Sequence, residues 1–201
     1  MWFDGKRMTM IATENFAQVE IYSSEDLRDW LQEHHTQADG VWLVTYKKSK
    51  PDRYVSTSQV LDELLCFGWI DGVRRKLDEH RTMQLISPRR VQHWAKTYKD
   101  RAARLIQEGK MHDAGHRAID VSKENGLWDF MNDVDNLILP GDLEKALAEK
   151  PPADAFFRSI NDSSKRNALR WLKLSKTERT RKSRITKLVL LSAQGEKLPG
   201  S

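Results

Sequence analysis

Every segment with β-strand character lies before Pro88, and every segment after it carries helical spacing. That division constrains the fold most, because strands and helices segregated along a chain build an α+β architecture. Phe16 to Tyr22 is short and rich in β-formers. Val41 to Lys47 (VWLVTYK) is the strongest strand signal. Trp69 to Leu77 and Arg81 to Ile86 read as a hairpin around Asp78-Glu79-His80, closed by Ser87-Pro88. Two helices are interleaved. One starts at Ser23 or Ser24, turns Leu27, Trp30 and Leu31 to one side, and breaks at Asp39-Gly40. The other is capped by Ser56, Thr57 or Ser58, runs to about Phe67, and stops at Gly68.

Beyond Pro88, Trp94, Tyr98, Ala102, Leu105 and Ile106 share one helical face, ended by Gly109. Further helices are expected over His112 to Asn125, Pro140 to Lys150, around Phe156 to Ile160, and from Asp162 or Ser163 through Leu174. The last covers Lys176 to Ala193, with Ile185, Leu188, Val189 and Ser192 inward. The expectation is a small mixed β-sheet in the N-terminal half and a helical C-terminal half. Residues 1–12 read as a tail, disordered or added to the natural chain. Residues 13–201 read as one domain, with an α/β part to 92 and a helical part from 93.

Composition excludes several classes. A single cysteine, Cys66, rules out an intrachain disulfide and a cysteine-rich metal site. No apolar run approaches the roughly 20 residues of a membrane span, and no signal-peptide core follows Met1, so the expected location is the cytoplasm. Net charge is +5, unevenly spread: residues 112–162 carry five basic and eleven acidic side chains, residues 163–201 eleven and two. Such alternation serves either internal pairing of acidic with basic helices or an anion-binding face.

The densest stretch is Cys66-Phe67-Gly68-Trp69-Ile70-Asp71-Gly72, followed by Pro88-Arg89-Arg90 and Trp94. A helix turning through glycine into a strand places Trp69 and Asp71 on one strand face. The arginines supply planar forks for carboxylate or phosphate. The resulting expectation is a pocket for an anionic small molecule or protein partner. Trp42, Trp69 and Trp94 would wall it, Lys47, Arg81 and Arg89 would neutralise the ligand, and Asp71 would orient a donor. The plainer reading makes the tryptophans core and pairs Asp71 with an arginine.

Other chemistry is thinner. Cys66 sits at the C-terminal end of its helix, where the macrodipole disfavours a thiolate. His112 and His116 are four apart but lack a metalloprotease glutamate, and His34-His35 point apart on a helix. No metal or cofactor is expected, and no catalytic residue is assigned. The enzyme reading stays open with no acid–base pair to carry it. The run from Lys165 to Lys187 offers a second reading, nucleic-acid binding through Arg166, Arg170, Lys173, Arg181, Lys182 and Arg184, with Trp171 interleaved for stacking.

The segments ELLCFGWIDGVRRKLDE, ISPRR, HWAKTYKDRAARLIQEGKM and ENGLWD, with AFFRSINDSSKRNALRWL and the following KTERTRKSRITKLVLLSAQGEKL, resemble the YdeI/OmpD-associated, or bacteriocin-protection, family. The resemblance runs from about Val41 to Leu191. Tyr98 departs from it, standing where the family tends to carry Asn. The resemblance implies a role in stress or in resistance to bacteriocins or cationic antimicrobial peptides, and association with an outer-membrane porin. A chain of net charge +5 would repel a cationic peptide. The family label is therefore read as a phenotype, with an anionic ligand or partner as the binding target.

Overall fold

The computed structural model describes residues 16–199, so the expected tail at 1–12 lies outside the described residues. Four strands form one mixed sheet in the order β1-β2-β4-β3. They are β1 (Gln18–Glu20), β2 (Val41–Tyr46), β3 (Trp69–Lys76) and β4 (Arg81–Pro88). β1 runs parallel to β2, joined through helix α1 (Ser24–His34). β4 is antiparallel to both β2 and β3. Helix α2 (Thr57–Cys66) precedes the β3–β4 hairpin. The remaining helices are α3 (Lys96–Gln107), α4 (Asp113–Glu124), the short α5 (Asn132–Asp135), α6 (Gly141–Ala148), α7 (Pro151–Ser159), α8 (Asp162–Lys173) and α9 (Glu178–Ala193). The architecture is α+β, with the sheet in the N-terminal half and helices after it. Among the described residues, α5 is the one α-helix that sequence spacing does not reveal, since four residues carry too little periodicity to read.

The chain divides into two compact units. One holds the described residues up to Gln92 together with Arg101–Val121; the other holds His93–Asp100 and residues 122–199. In the sheet unit, Ser23 caps α1 by accepting from the Asp26 N–H. Ser56 caps α2 in a capping box closed by Gln59. Leu27 and Leu31 of α1, Val60, Leu64 and Leu65 of α2, and Leu43 and Ile86 of the sheet are all buried. Gly68 ends the α2 corner with φ +71°. A Cβ there would lie 2.9 Å from both the Ala114 carbonyl oxygen and the Ala118 Cβ. A Cβ on Gly115 would in turn strike the Cys66 carbonyl oxygen. Two glycines thus let α4 press directly on the corner.

The helical unit has its own core, built around Met131, Leu143, Phe157, Leu169, Leu172 and Leu188. Proline opens α7, where its missing N–H has no intrahelical partner to lose. Asn161 and Thr177 cap α8 and α9 through their side-chain oxygens. Ile185, Leu188, Val189 and Ser192 are the buried residues of α9, the inward set that its spacing predicts.

Candidate functional site

Six of the seven residues expected to converge belong to the sheet unit, and these six do not meet in one hollow. Cross-strand partners share a sheet face; Trp42 faces Leu85 and Trp69 faces Pro88. Leu85 and Pro88 are an odd number of positions apart, so the two indoles lie on opposite faces of the sheet. The Trp69 Nε1–H donates to the His35 carbonyl at 3.1 Å, and its ring meets Trp30 edge-on. Trp42 is covered by the Arg75 guanidinium, 5.2 Å from the ring centroid. Both indoles are core.

The polar members are also dispersed. Gln84 donates to Asp71 at 3.0 Å and accepts from Arg74, a chain that ties the hairpin together. Lys47 donates to the carbonyls of Asp78 and Glu79, each at 2.8 Å. Arg81 pairs with Asp78 and Glu20, and that pairing holds the Asp78 carboxyl down to about 2. Lys47 and Arg81 sit at the end of β4 where it begins. Arg89 follows its other end, about 23 Å of strand away, with its N–H on the Gly68 carbonyl and its guanidinium on the Gln92 carbonyl. Trp94 belongs to the helical unit, where its ring tilts against Trp128 at 4.8 Å.

The corner itself is packed solid. Cys66, Phe67 and Trp69 are buried, and α4 fills the space beside Gly68. Desolvation, reinforced by the nearby Glu63, pushes the Cys66 thiol up to about 11, against an opposing bond from Arg28. A buried thiol held neutral is a packing group. His112 stacks on Phe67 at 4.7 Å and meets His35 at 5.0 Å. Its Nδ1 accepts from the Ala114 N–H.

Two sets of cations stand out in the helical unit. Most of those singled out in the sequence meet an acid. Arg181 grips Asp142 through both Nε and a terminal nitrogen, at 2.6 and 2.8 Å, which holds the Asp142 carboxyl below its ordinary value. Lys173 binds Asp133, Lys182 pairs with Glu178 at 2.9 Å, and Arg166 lies 3.8 Å from Asp162 while donating to the Asp135 carbonyl. Arg170 is half-buried, its Nε shielded from water and without a partner. Acidic α5 and α6 thus neutralise much of the basic run, as the charge alternation allows.

A second set stays open. Arg179 with Thr180, Ser183 with Arg184, and Lys187 recur along α9 about one turn apart, and with Trp171 of α8 they line a hollow of about 340 Å³. The Arg184 guanidinium lies 4.8 Å from the Trp171 ring centroid and donates to the Trp171 carbonyl, and the Lys187 ammonium is 6.0 Å from the same ring. Among the described residues, Arg179, Arg184 and Lys187 meet no carboxylate. Three cations, two hydroxyls and an indole therefore face one groove with no internal counter-charge, the composition of an anion site. Of these six, sequence reasoning singled out only Arg184 and Trp171. The spacing of 179, 183 and 187 was the available signal for the rest, since it places three donors on a single helical stripe.

Residues 19–118 match the family model described as a domain of unknown function (DUF8412), and residues 136–195 match the one described as Bacteriocin-protection, YdeI or OmpD-Associated. The stretch that carries α6 to α9 is thus similar to the YdeI/OmpD-associated domain. No curated protein and no solved structure matches the chain. The CFGWIDG and ISPRR segments, which carried much of the resemblance, fall within the span of the first model; the YdeI/OmpD-associated match covers only α6 to α9 and the residues around them. All six groove residues lie inside the YdeI/OmpD-associated span.

Proposed function

We propose that the protein is a cytoplasmic binding protein in the bacteriocin-protection setting, and that its YdeI/OmpD-associated domain takes an anionic ligand or partner in the Trp171 groove. The observation that carries this reading is the segregation of cations. Acids of the same unit neutralise Lys173, Arg181 and Lys182, yet leave Arg179, Arg184 and Lys187 facing a hollow. Lys165 and Lys176 meet no carboxylate among the described residues either, but Arg179, Arg184 and Lys187 are gathered with an indole around one hollow. Arg184 is held in place by the Trp171 carbonyl, so its free donors are pre-aimed and less side-chain entropy is lost on binding. Trp171 supplies an apolar wall, and Thr180 and Ser183 can donate to anionic oxygens from the next positions on the helix. No helix of the described residues is long and apolar enough to cross a membrane. A direct grip on cationic peptides would also work against the net charge of +5.

Heparin-column retention tests the reading. Arg179→Glu/Lys187→Glu should elute at clearly lower salt than the parent chain, whereas the charge-matched Arg158→Glu/Lys182→Glu, which removes cations already paired with Asp154 and Glu178, should shift elution much less. Equal shifts for both variants would reduce the groove to bulk charge and defeat the assignment.

A further inference from the structure

We infer that the groove is one end of a binding strip for single-stranded nucleic acid, a deepening that rests on the anion-site reading above. The independent observation is a second group of aromatic rings and cations in the same unit. Lys99 and Lys123 each place an ammonium over the Trp128 ring, at 5.4 and 5.5 Å from its centroid. Lys173 lies 4.8 Å from the Phe130 centroid, and the His93 ring tilts against Phe130 at 5.8 Å. Phe130 is 39% exposed, far more than the buried aromatic Phe157 of the same unit.

Lys173 and Trp171 stand on the last turn of α8. A path from Trp128 through Phe130 and Lys173 to Trp171, Arg184 and Lys187 therefore passes around the end of that helix. Along it, partly exposed rings alternate with ammonium and guanidinium groups. Two acids lie along it: Asp133, which Lys173 neutralises, and the exposed Asp129 between Trp128 and Phe130, which accepts from the Asn132 side chain.

That alternation selects the ligand class. Phosphates need cations and hydroxyl donors, which Arg179, Lys187, Thr180 and Ser183 offer over roughly 12 Å of helix. Unstacked bases need flat rings, and base–aromatic stacking tolerates any sequence. A duplex keeps its bases stacked on one another and would leave Phe130 idle. An acidic peptide or a lipid headgroup would use the cations and likewise ignore the rings. Lys123 over Trp128 is on a flexible stem and can swing to phosphate when a base takes the ring face, whereas Lys173 and Lys99 are held by Asp133 and Asn132.

The test is fluorescence anisotropy of a labelled oligothymidylate of about fifteen nucleotides, titrated with the full chain between about 50 and 200 mM salt. A duplex of the same length, inorganic tripolyphosphate as competitor, and phosphatidylglycerol vesicles form the other arms. The expected result is tighter binding of the single strand than of the duplex. Phe130→Ala should weaken it at least fivefold with an unchanged salt slope, as removal of one stacking ring does. Arg179→Glu/Lys187→Glu should instead flatten the salt slope, by about 1.4 when two phosphates are no longer neutralised. Phe130→Leu, which keeps apolar bulk without a ring, should weaken binding like the alanine and guards against a folding artefact. If strand and duplex bind equally and both Phe130 variants are silent while the charge-reversal variant loses both, the single-strand inference falls and the anion site stands. Tripolyphosphate or vesicle binding that needs Arg179 and Lys187, without oligothymidylate binding, has the same meaning. Indifference of every anion to the charge reversal overturns both readings.

Discussion

Gly68 shows how a residue can dominate a corner without touching a ligand. Its positive φ disfavours any side chain, and Ala114 and Ala118 occupy the place a Cβ would take. Gly68→Ala combines both penalties and should cost roughly 2 to 3 kcal/mol, read as a lower urea midpoint with an unchanged slope. Cys66 beside it should resist iodoacetamide at pH 8 in the native protein and react on unfolding, because burial holds the thiol near 11. His112 responds to acid. Burial, and then the neighbouring His35, lower its folded pKa below the ordinary 6.5. The unfolded chain therefore takes up the proton first. The stability contribution is intact above about 6.5 and is lost as pH falls toward the folded value. Urea midpoints of the parent and of His112→Gln should converge on acidification from pH 8 to 5, the parent losing more.

At the scale of elements, α2 begins on a reciprocal cap in which Ser56 receives the Gln59 N–H and the Gln59 side chain returns to the Ser56 N–H. Ser56→Ala removes the acceptor and should destabilise the sheet unit by about 1 kcal/mol, checked by chemical denaturation. α9 divides its surface three ways. Ile185, Leu188 and Val189 enter the core, Arg181 and Lys182 meet acids, and Arg179, Ser183 and Lys187 line the groove. A sixteen-residue helix can hold all three stripes because neighbours three or four apart share a face while adjacent residues do not. A run of basic residues read only as charge hides that division.

Over the whole molecule, the two units should answer acid in different ranges. In the helical unit, the bond from Arg181 lowers Asp142. At Asp133 burial raises the carboxyl, but the Lys173 bond and the Val134 N–H overcome it and leave it lowered. Carboxylates depressed in this way support the fold above their ordinary value of 3.8 and lose that support as pH falls through the folded values. Hydrogen exchange should therefore report loosening around His112 between pH 6.5 and 5, while α5, α6, α8 and α9 stay protected until below about pH 4. Simultaneous loss of protection in both units near pH 6 would contradict the assignment of these groups.

The sequence by itself determined the segregation of sheet from helices, the glycine corner, a cap for α2 within Ser56–Ser58 and the inward stripe of α9. Each of these depends on backbone geometry within a few residues, so local spacing suffices to read it. Only the tertiary structure decided that Trp42 and Trp69 face opposite ways, since that follows from strand register, and that the Gly68 corner is filled, since α4 returns to it from later in the chain. It also decided which cations remain open. Lys173 and Arg181 find acids 40 and 39 positions away, whereas Arg184 finds an indole and a hollow. Spacing encodes the pairs four apart, Lys182 with Glu178 and Arg166 with Asp162, but the pairs between helices depend on which helices meet, and no spacing along a single helix encodes that.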